Sequence, residues 1–362
     1  MKYLYPLSLL LLLVSCQKEE KKVVDRKKAD WSFYKLEGDV KSIGLKSWQV
    51  NDKLEKIKTL HEDMSKHDSE MVFDDNGMLV SEKSYLSDKP FEESTYKGRE
   101  KKQQTLQYIG DAVGIKIDYD YDKSGNNTAI TRRNPDNSQI DRIEMKYQGK
   151  NIAQKTTFSA QNNPNDKVAY LYDSKGNIIQ EDIYLASESV QYKAVNKYDK
   201  KNRKISEARY DKDSKKLYET VSKYDGDNLM KKFTVDAKGV VDYSEDFTYD
   251  DKGNVLTHLT FEKFDNSKTL DMYAYDDKGN KREWAVEKNG KPFMKASFDY
   301  DDKNNTTVIS VTDAAGKQVD KREYAYDYDK KGNWTKKTIR INGVPQFVEE
   351  RQIVYADDAG QE

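Results

Sequence analysis

Cysteine is nearly absent from this chain: 362 residues contain one, Cys16. No internal disulfide can form, so packing and hydrogen bonds alone must hold the fold. Histidine is scarce, with three copies at His61, His67 and His258. The sequence has no Gly-x-Ser-x-Gly elbow, phosphate loop or dinucleotide fingerprint. Apolar material is thin as well. Hydrophobic residues make up 36% and charged residues 35%, and the mean hydropathy is −1.02. That composition argues against one thick core and for a sheet wetted over part of its surface. Charge of one sign is also missing. The 63 basic and 64 acidic residues nearly cancel, which removes the electrostatic case for a nucleic-acid partner.

What the chain has instead is tyrosine, 26 copies of it, much of it in a repeated turn. An aromatic, usually followed by Asp, recurs at Phe73, Tyr96, Tyr121, Tyr147, Tyr172, Tyr198, Tyr224, Tyr249, Tyr275, Tyr300, Tyr328 and Tyr355. The cleanest copies read Y-D-x-x-G-N, as at Tyr121–Asn126, Tyr172–Asn177, Tyr249–Asn254 and Tyr275–Asn280. A period of about 26 residues this regular marks a repeat array. Asp opening the turn and Gly three residues later fit a type I turn closed by a left-handed residue, a three-residue hairpin with a bulge. The copies at Tyr147 and Tyr224 are one residue shorter. Asp225-Gly226 suits a two-residue type I′ turn, and Tyr96-Lys97-Gly98 resembles that short form.

A second set of polar breaks falls between these turns, for example Asp236–Gly239, Asp265–Ser267 and Asp313–Gly316. Each period therefore holds two strands. Stretches such as Val255–Phe261 and Thr306–Thr312 carry the β-branched residues and partial alternation of strands, and no helical periodicity competes with them. The motif is doubled at Asp118–Asp122 and Tyr326–Asp329, a two-residue extension that keeps every side chain on its face. The expectation is an all-β protein. It is an extended antiparallel β-meander of about twelve hairpin repeats, in a single-layer or gently coiled sheet.

Residues 1–15 lie outside that pattern. A basic start at Lys2 and the apolar run Leu4–Val14 make a segment too short to span a bilayer as a stable helix. Its end, Leu13-Val14-Ser15-Cys16, resembles a bacterial lipoprotein signal, which implies cleavage before Cys16 and acyl chains on it. The competing reading is an ordinary secretory signal. Residues 16–30 are dense in charge and read as a flexible tether. Gln17-Lys18-Glu19-Glu20 resembles the sorting and export signals of Bacteroidota surface lipoproteins. That implies an outer-membrane lipid anchor facing outward, with the periplasmic face as the alternative. Residues 31–72 form an N-terminal β segment or cap, and 73–362 the repeat array.

The repeat itself resembles the YD repeats of RHS-type proteins, and more closely the YD-repeat lipoproteins of Bacteroidota. The latter often open with a strand like Leu36–Ile43. The resemblance covers residues 36–362. Here Gly-Asn ends the turn, and the Arg-Tyr and Gly-Arg-Leu features of RHS repeats are mostly missing. A closed shell is therefore not expected, and an open array is.

For chemistry, His61 and His67 are candidates for a metal pair, but their spacing fits neither a helical turn nor a strand pair, and solvated surface is the simpler reading. Asp118, Asp120 and Asp122 alternate before Ser124-Gly125-Asn126, yet the glycine falls too late for a calcium loop. No cofactor or metal is expected, and no catalysis. Tyr249, Tyr275 and Tyr300, with Tyr273 and Trp284, form a candidate aromatic row suited to a glycan or a protein. The bland reading of the same rings is that they pack on one another to hold the sheet. The functional expectation is a lipid-anchored, non-enzymatic binding or scaffolding module of the cell envelope. The alternatives are an accessory subunit of an outer-membrane complex and an RHS-associated immunity protein.

Overall fold

A computed structural model describes residues 24–186 and 188–358. Cys16, the signal and most of the tether lie outside the described residues.

The turn chemistry builds every repeat in the same way. In the copy at Tyr121, the Gly125 N–H donates to the Asp122 carbonyl, and the Asp122 N–H donates to that of Asn126. Gly125 takes φ +85, which any Cβ would strain. Asn202 and Asn304 hold the same left-handed position in two copies, at φ +69 and +62, as Asn tolerates better than most residues. The register shifts by one residue at each anchor, as between Asp120 and Tyr121 or Ala274 and Tyr275. This is the expected three-residue hairpin with its bulge. The Asn that ends the turn ties it back to its start, since the Nδ2 of Asn126, Asn177, Asn254 and Asn280 donates to the opening Asp at 2.8–3.0 Å.

Two short copies differ from expectation. The loop at Tyr224 is Gly226-Asp227, because Asp225 and Asn228 already pair. Gly226 alone takes a positive φ there, +55, which suits a type II′ rather than a type I′ turn. The copy at Tyr96 is not shortened, since Tyr96 pairs with Lys102 across a five-residue loop.

The sheet is antiparallel and contains twenty-five strands. It is not the open meander expected from the sequence. The first strand, Val40–Val50, pairs on one edge with Asp68–Phe73 and on the other with the last strand, Val344–Tyr355, from Val40↔Tyr355 to Gln49↔Phe347. The short strand Lys56–Thr59 pairs only with the first, so the other twenty-four close into a barrel. The reason is physical. An open array would leave two edges of unpaired N–H and C=O groups, and closure satisfies both. The segment read as a cap supplies the closing strand.

A single-layer wall remains the right description of the section. The accessible surface is 24185 Å², against about 15,000 Å² for a compact monomer of this length. Opposed cross-strand partners share a face and successive residues change face, so the wall has a tyrosine face, carrying the repeat anchors, and a back face.

The main core sits at the closure. Trp31 is 2% exposed, on the short helix Asp30–Phe33, and it packs with Ala29, Leu36, Val40, Ile43, Phe73, Leu79 and Tyr355. Its indole donates to the Val40 carbonyl at 2.9 Å. Residues 25–30, within the stretch assigned to the tether, join this plug. Asp30 accepts from the Leu79 and Arg99 N–H groups, and Arg26 donates to the Gly38 carbonyl.

Candidate functional site

The tyrosine face explains the repeat. The hydroxyls of Tyr121, Tyr147, Tyr172, Tyr198, Tyr224, Tyr249, Tyr275 and Tyr300 donate to backbone carbonyls at 2.8–3.2 Å. Each acceptor lies 19 or 20 residues earlier, just past the preceding turn. Each ring thus reaches across to the preceding strand and ties one repeat to the next. Burial raises the Tyr249, Tyr275 and Tyr300 hydroxyls above the usual phenol value, so they stay protonated donors at neutral pH. The ladder changes near the plug: Tyr96 donates to Glu82, and Tyr328 to Asp301.

The five residues named for an aromatic row do share this face. Tyr273 lies opposite Trp284, whose Nε1 donates to Asp271 at 2.7 Å. Lys281 Nζ sits 4.3 Å from the Tyr273 ring centroid. All five rings are half-buried. Beside them lies His258, to which no sequence motif gave a place. It stacks on Phe247 with centroids 4.5 Å apart, and its Nε2 is 3.2 Å from Glu245.

The other candidates do not assemble. His61 is buried, contrary to the surface position expected for it, because the Asp68 carboxylate takes its Nε2 at 2.8 Å. His67 turns away and packs on Phe91. Asp118 is held by Gln104 and Arg133, and Asp122 by Asn126.

Open concavities lie on the back face, which sequence reasoning missed. Phe233, Ser244 and Phe261 are consecutive cross-strand partners, and Lys268 follows. Ser244 is 8% exposed between the two rings. The hollow they form is about 540 Å³, floored by Leu259 and Val241 and edged by Lys223, Lys231 and Asp246. Three repeats earlier, Glu144, Thr156, Lys167 and Tyr184 make the same kind of row. With Phe158 and Pro164 they bound a second hollow of about 450 Å³. Both volumes fall within the ~300–1,000 Å³ of ordinary ligand clefts. Cations lie over the rings: Lys167 is 3.7 Å from the Tyr184 centroid and Arg142 5.1 Å from that of Phe158. The available signal was a second aromatic register, Tyr85, Tyr108, Phe158, Tyr184, Tyr210 and Phe261, in the strand that follows each repeat anchor. It is less regular than the anchor motif and was masked by it.

No protein-family model matches the chain, and no curated protein is similar to it. Among solved structures, the Tc holotoxin pore of Photorhabdus luminescens matches 82% of this chain and 20% of its own, at 10% identity and TM-score 0.32. The TcdB2–TccC3 crystal structure without its hypervariable C-terminal region matches 82% and 19%, at 10% identity and TM-score 0.31. The chain spans about a fifth of the length of those toxin chains. A porin-like protein from Bacteroides uniformis matches over 87% of this chain and 98% of its own, at 9% identity and TM-score 0.23.

Proposed function

We propose that this protein is a non-enzymatic binding module of the cell envelope, tethered to the outer membrane by acyl chains on Cys16, whose back face takes glycan. The observation that carries the reading is the pair of aromatic-walled hollows. Sugar rings stack their apolar faces on aromatics and hydrogen-bond at their edges, and each hollow offers both. Hollows three repeats apart on one face suit a polymer better than a single small molecule, because two stacking sites on one chain raise its effective concentration.

The barrel itself is not read as membrane-spanning. Such a wall needs an apolar outer belt about 25 Å tall. Here both faces carry ionised groups in mid-strand, such as Lys231, Asp246 and Arg142 on one and Glu245, Asp271 and Arg209 on the other. The lipid on Cys16 would do the anchoring.

A glycan array probed with the full-length protein in detergent tests the reading. Binding to a polysaccharide that is lost in Phe233→Ser and in Tyr184→Ser supports it. Absence of any glycan signal, or binding unchanged in both variants, rejects it.

One observation favours a second reading, a scaffold that docks protein. At the rim opposite the plug, Leu86, Ile109, Leu185 and Phe293 at strand ends and Phe264 in a turn are exposed, Phe264 fully at 100%. Cross-linking from a cysteine placed at Phe264 in intact envelopes distinguishes the two, since the glycan reading predicts no protein adduct at that rim.

A further inference from the structure

Beside the closure, on the tyrosine face, lies a cluster of charged groups unrelated to the back-face hollows. Tyr326, Lys337 and Glu349 are consecutive cross-strand partners, and Arg351 is two residues further along the last strand. Glu62, from the loop before Asp68–Phe73, reaches over to Arg322 and Tyr324. Trp334 stands among these groups, its ring 6.2 Å from that of Tyr326.

Every cation here but one has a carboxylate. Arg322 donates to Glu62 at 2.7 Å and to Asp320 at 2.9 Å. Lys337 Nζ lies 2.6 Å from Glu349, both well buried. The remaining cation is Arg351. Its guanidinium carbon sits 3.5 Å from the Trp334 centroid, it makes no hydrogen bond or ion pair among the described residues, and its Nε is buried without a partner. The nearest acid, Glu349, is already engaged by Lys337. Burial pulls the Arg351 guanidinium down to about 10, with Glu349 opposing, as expected for a cation stripped of water without full compensation.

Buried charges in folded proteins are ordinarily paired, and a fork of five donors fixed on an aromatic plane is the geometry that takes an oxyanion in two parallel bonds. Trp334 sets the orientation of the fork, and Lys337 neutralises Glu349, the acid that would otherwise repel an anion there. We propose that Arg351 is an oxyanion-binding site, taking the carboxylate or phosphate group of a small ligand at the barrel closure. The site is independent of the glycan reading, since no residue of the hollows takes part.

The test is a thermal-unfolding titration of the full-length protein in detergent. Sodium glucuronate, acetate and phosphate are compared with chloride at matched ionic strength. At about ten times Kd, the effective oxyanion raises the midpoint by roughly 2 °C over chloride. Glucuronate and acetate acting without phosphate assign a carboxylate; phosphate acting alone assigns a phosphoryl group. Arg351→Met abolishes the rise, and Arg282→Met, at an exposed arginine, leaves it intact. Should Arg351→Met fail to fold, Arg351→Lys keeps the charge but loses the fork and gives less than half the rise. No rise with any oxyanion, or an undiminished rise in either Arg351 variant, overturns the proposal.

Discussion

The tyrosine ladder makes a quantitative demand. Tyr249, Tyr275 and Tyr300 each donate to a carbonyl on the adjacent, preceding strand, those of Leu229, Val255 and Lys281, at 2.8–2.9 Å. Tyr→Phe removes one oxygen and leaves the ring in place. The lost hydrogen bond is worth about 1 kcal/mol net, within the ~0.5–1.5 kcal/mol range for such bonds. Successive anchors are two strands, roughly 10 Å, apart, far enough for their effects to add. The triple variant Tyr249→Phe/Tyr275→Phe/Tyr300→Phe should therefore lose about 3 kcal/mol. Urea unfolding followed by tryptophan fluorescence measures it as a lowered midpoint with unchanged slope. Tyr184→Phe is the control. Its ring lies under Lys167 on the back face and its hydroxyl makes no hydrogen bond among the described residues, so it should change stability by less than about 0.5 kcal/mol. A triple variant within about 0.5 kcal/mol of the parent, or a control that costs as much per site, would show that the hydroxyls do not couple the repeats.

Three further outcomes are expected. Gly77→Ala and Gly253→Ala both strain a positive φ, +73 and +85, at about 1–2 kcal/mol each. A Cβ on Gly77 also meets the Trp31 ring at 2.5 Å, whereas Gly253 faces open space, so Gly77→Ala should be clearly the more destabilising in the same urea assay. Trp31→Ala removes a buried ring and its bond to Val40 and should cost about 3–5 kcal/mol, with faster proteolysis near residues 36–45. The turn carboxylates set the response to acid. Asn254 and Asn280 side chains hold Asp250 and Asp276 below the ordinary carboxylate value, as Asn126 and Asn177 do for Asp122 and Asp173. A depressed folded value means this stability is present above the unfolded pKa and is lost as pH falls through the folded one. Thermal midpoints should thus decline below about pH 4, and Asn254→Ala/Asn280→Ala should flatten that decline. An unchanged acid profile in this variant would assign the loss to other carboxylates.

Local features were legible because their causes are local. Asp122, Gly125 and Asn126 sit within one turn, and each bond among them closes over four residues or fewer. Strand content, two strands per period and the bulge at each anchor follow from the same short motif. His61 was misplaced because its partner Asp68 is reached only when the loop between them folds back over Ser47, whose N–H also donates to Asp68. The back-face hollows were missed because Phe233, Ser244 and Phe261 become neighbours only through register.

The sequence by itself determined a repeating antiparallel wall with tied turns and an aromatic anchor in every unit. Tertiary structure alone decided that the wall closes. Nothing in Val40–Val50 distinguishes a capping strand from one whose free edge meets Val344–Tyr355, about 300 residues away. That meeting depends on the twist summed over all the intervening strands, which brings the two edges within hydrogen-bonding distance. The same closure sets the hairpin that carries Trp334, Lys337, Glu349 and Arg351 beside the first strand and brings Glu62 onto Arg322 and Tyr324, partners that sequence distance hid.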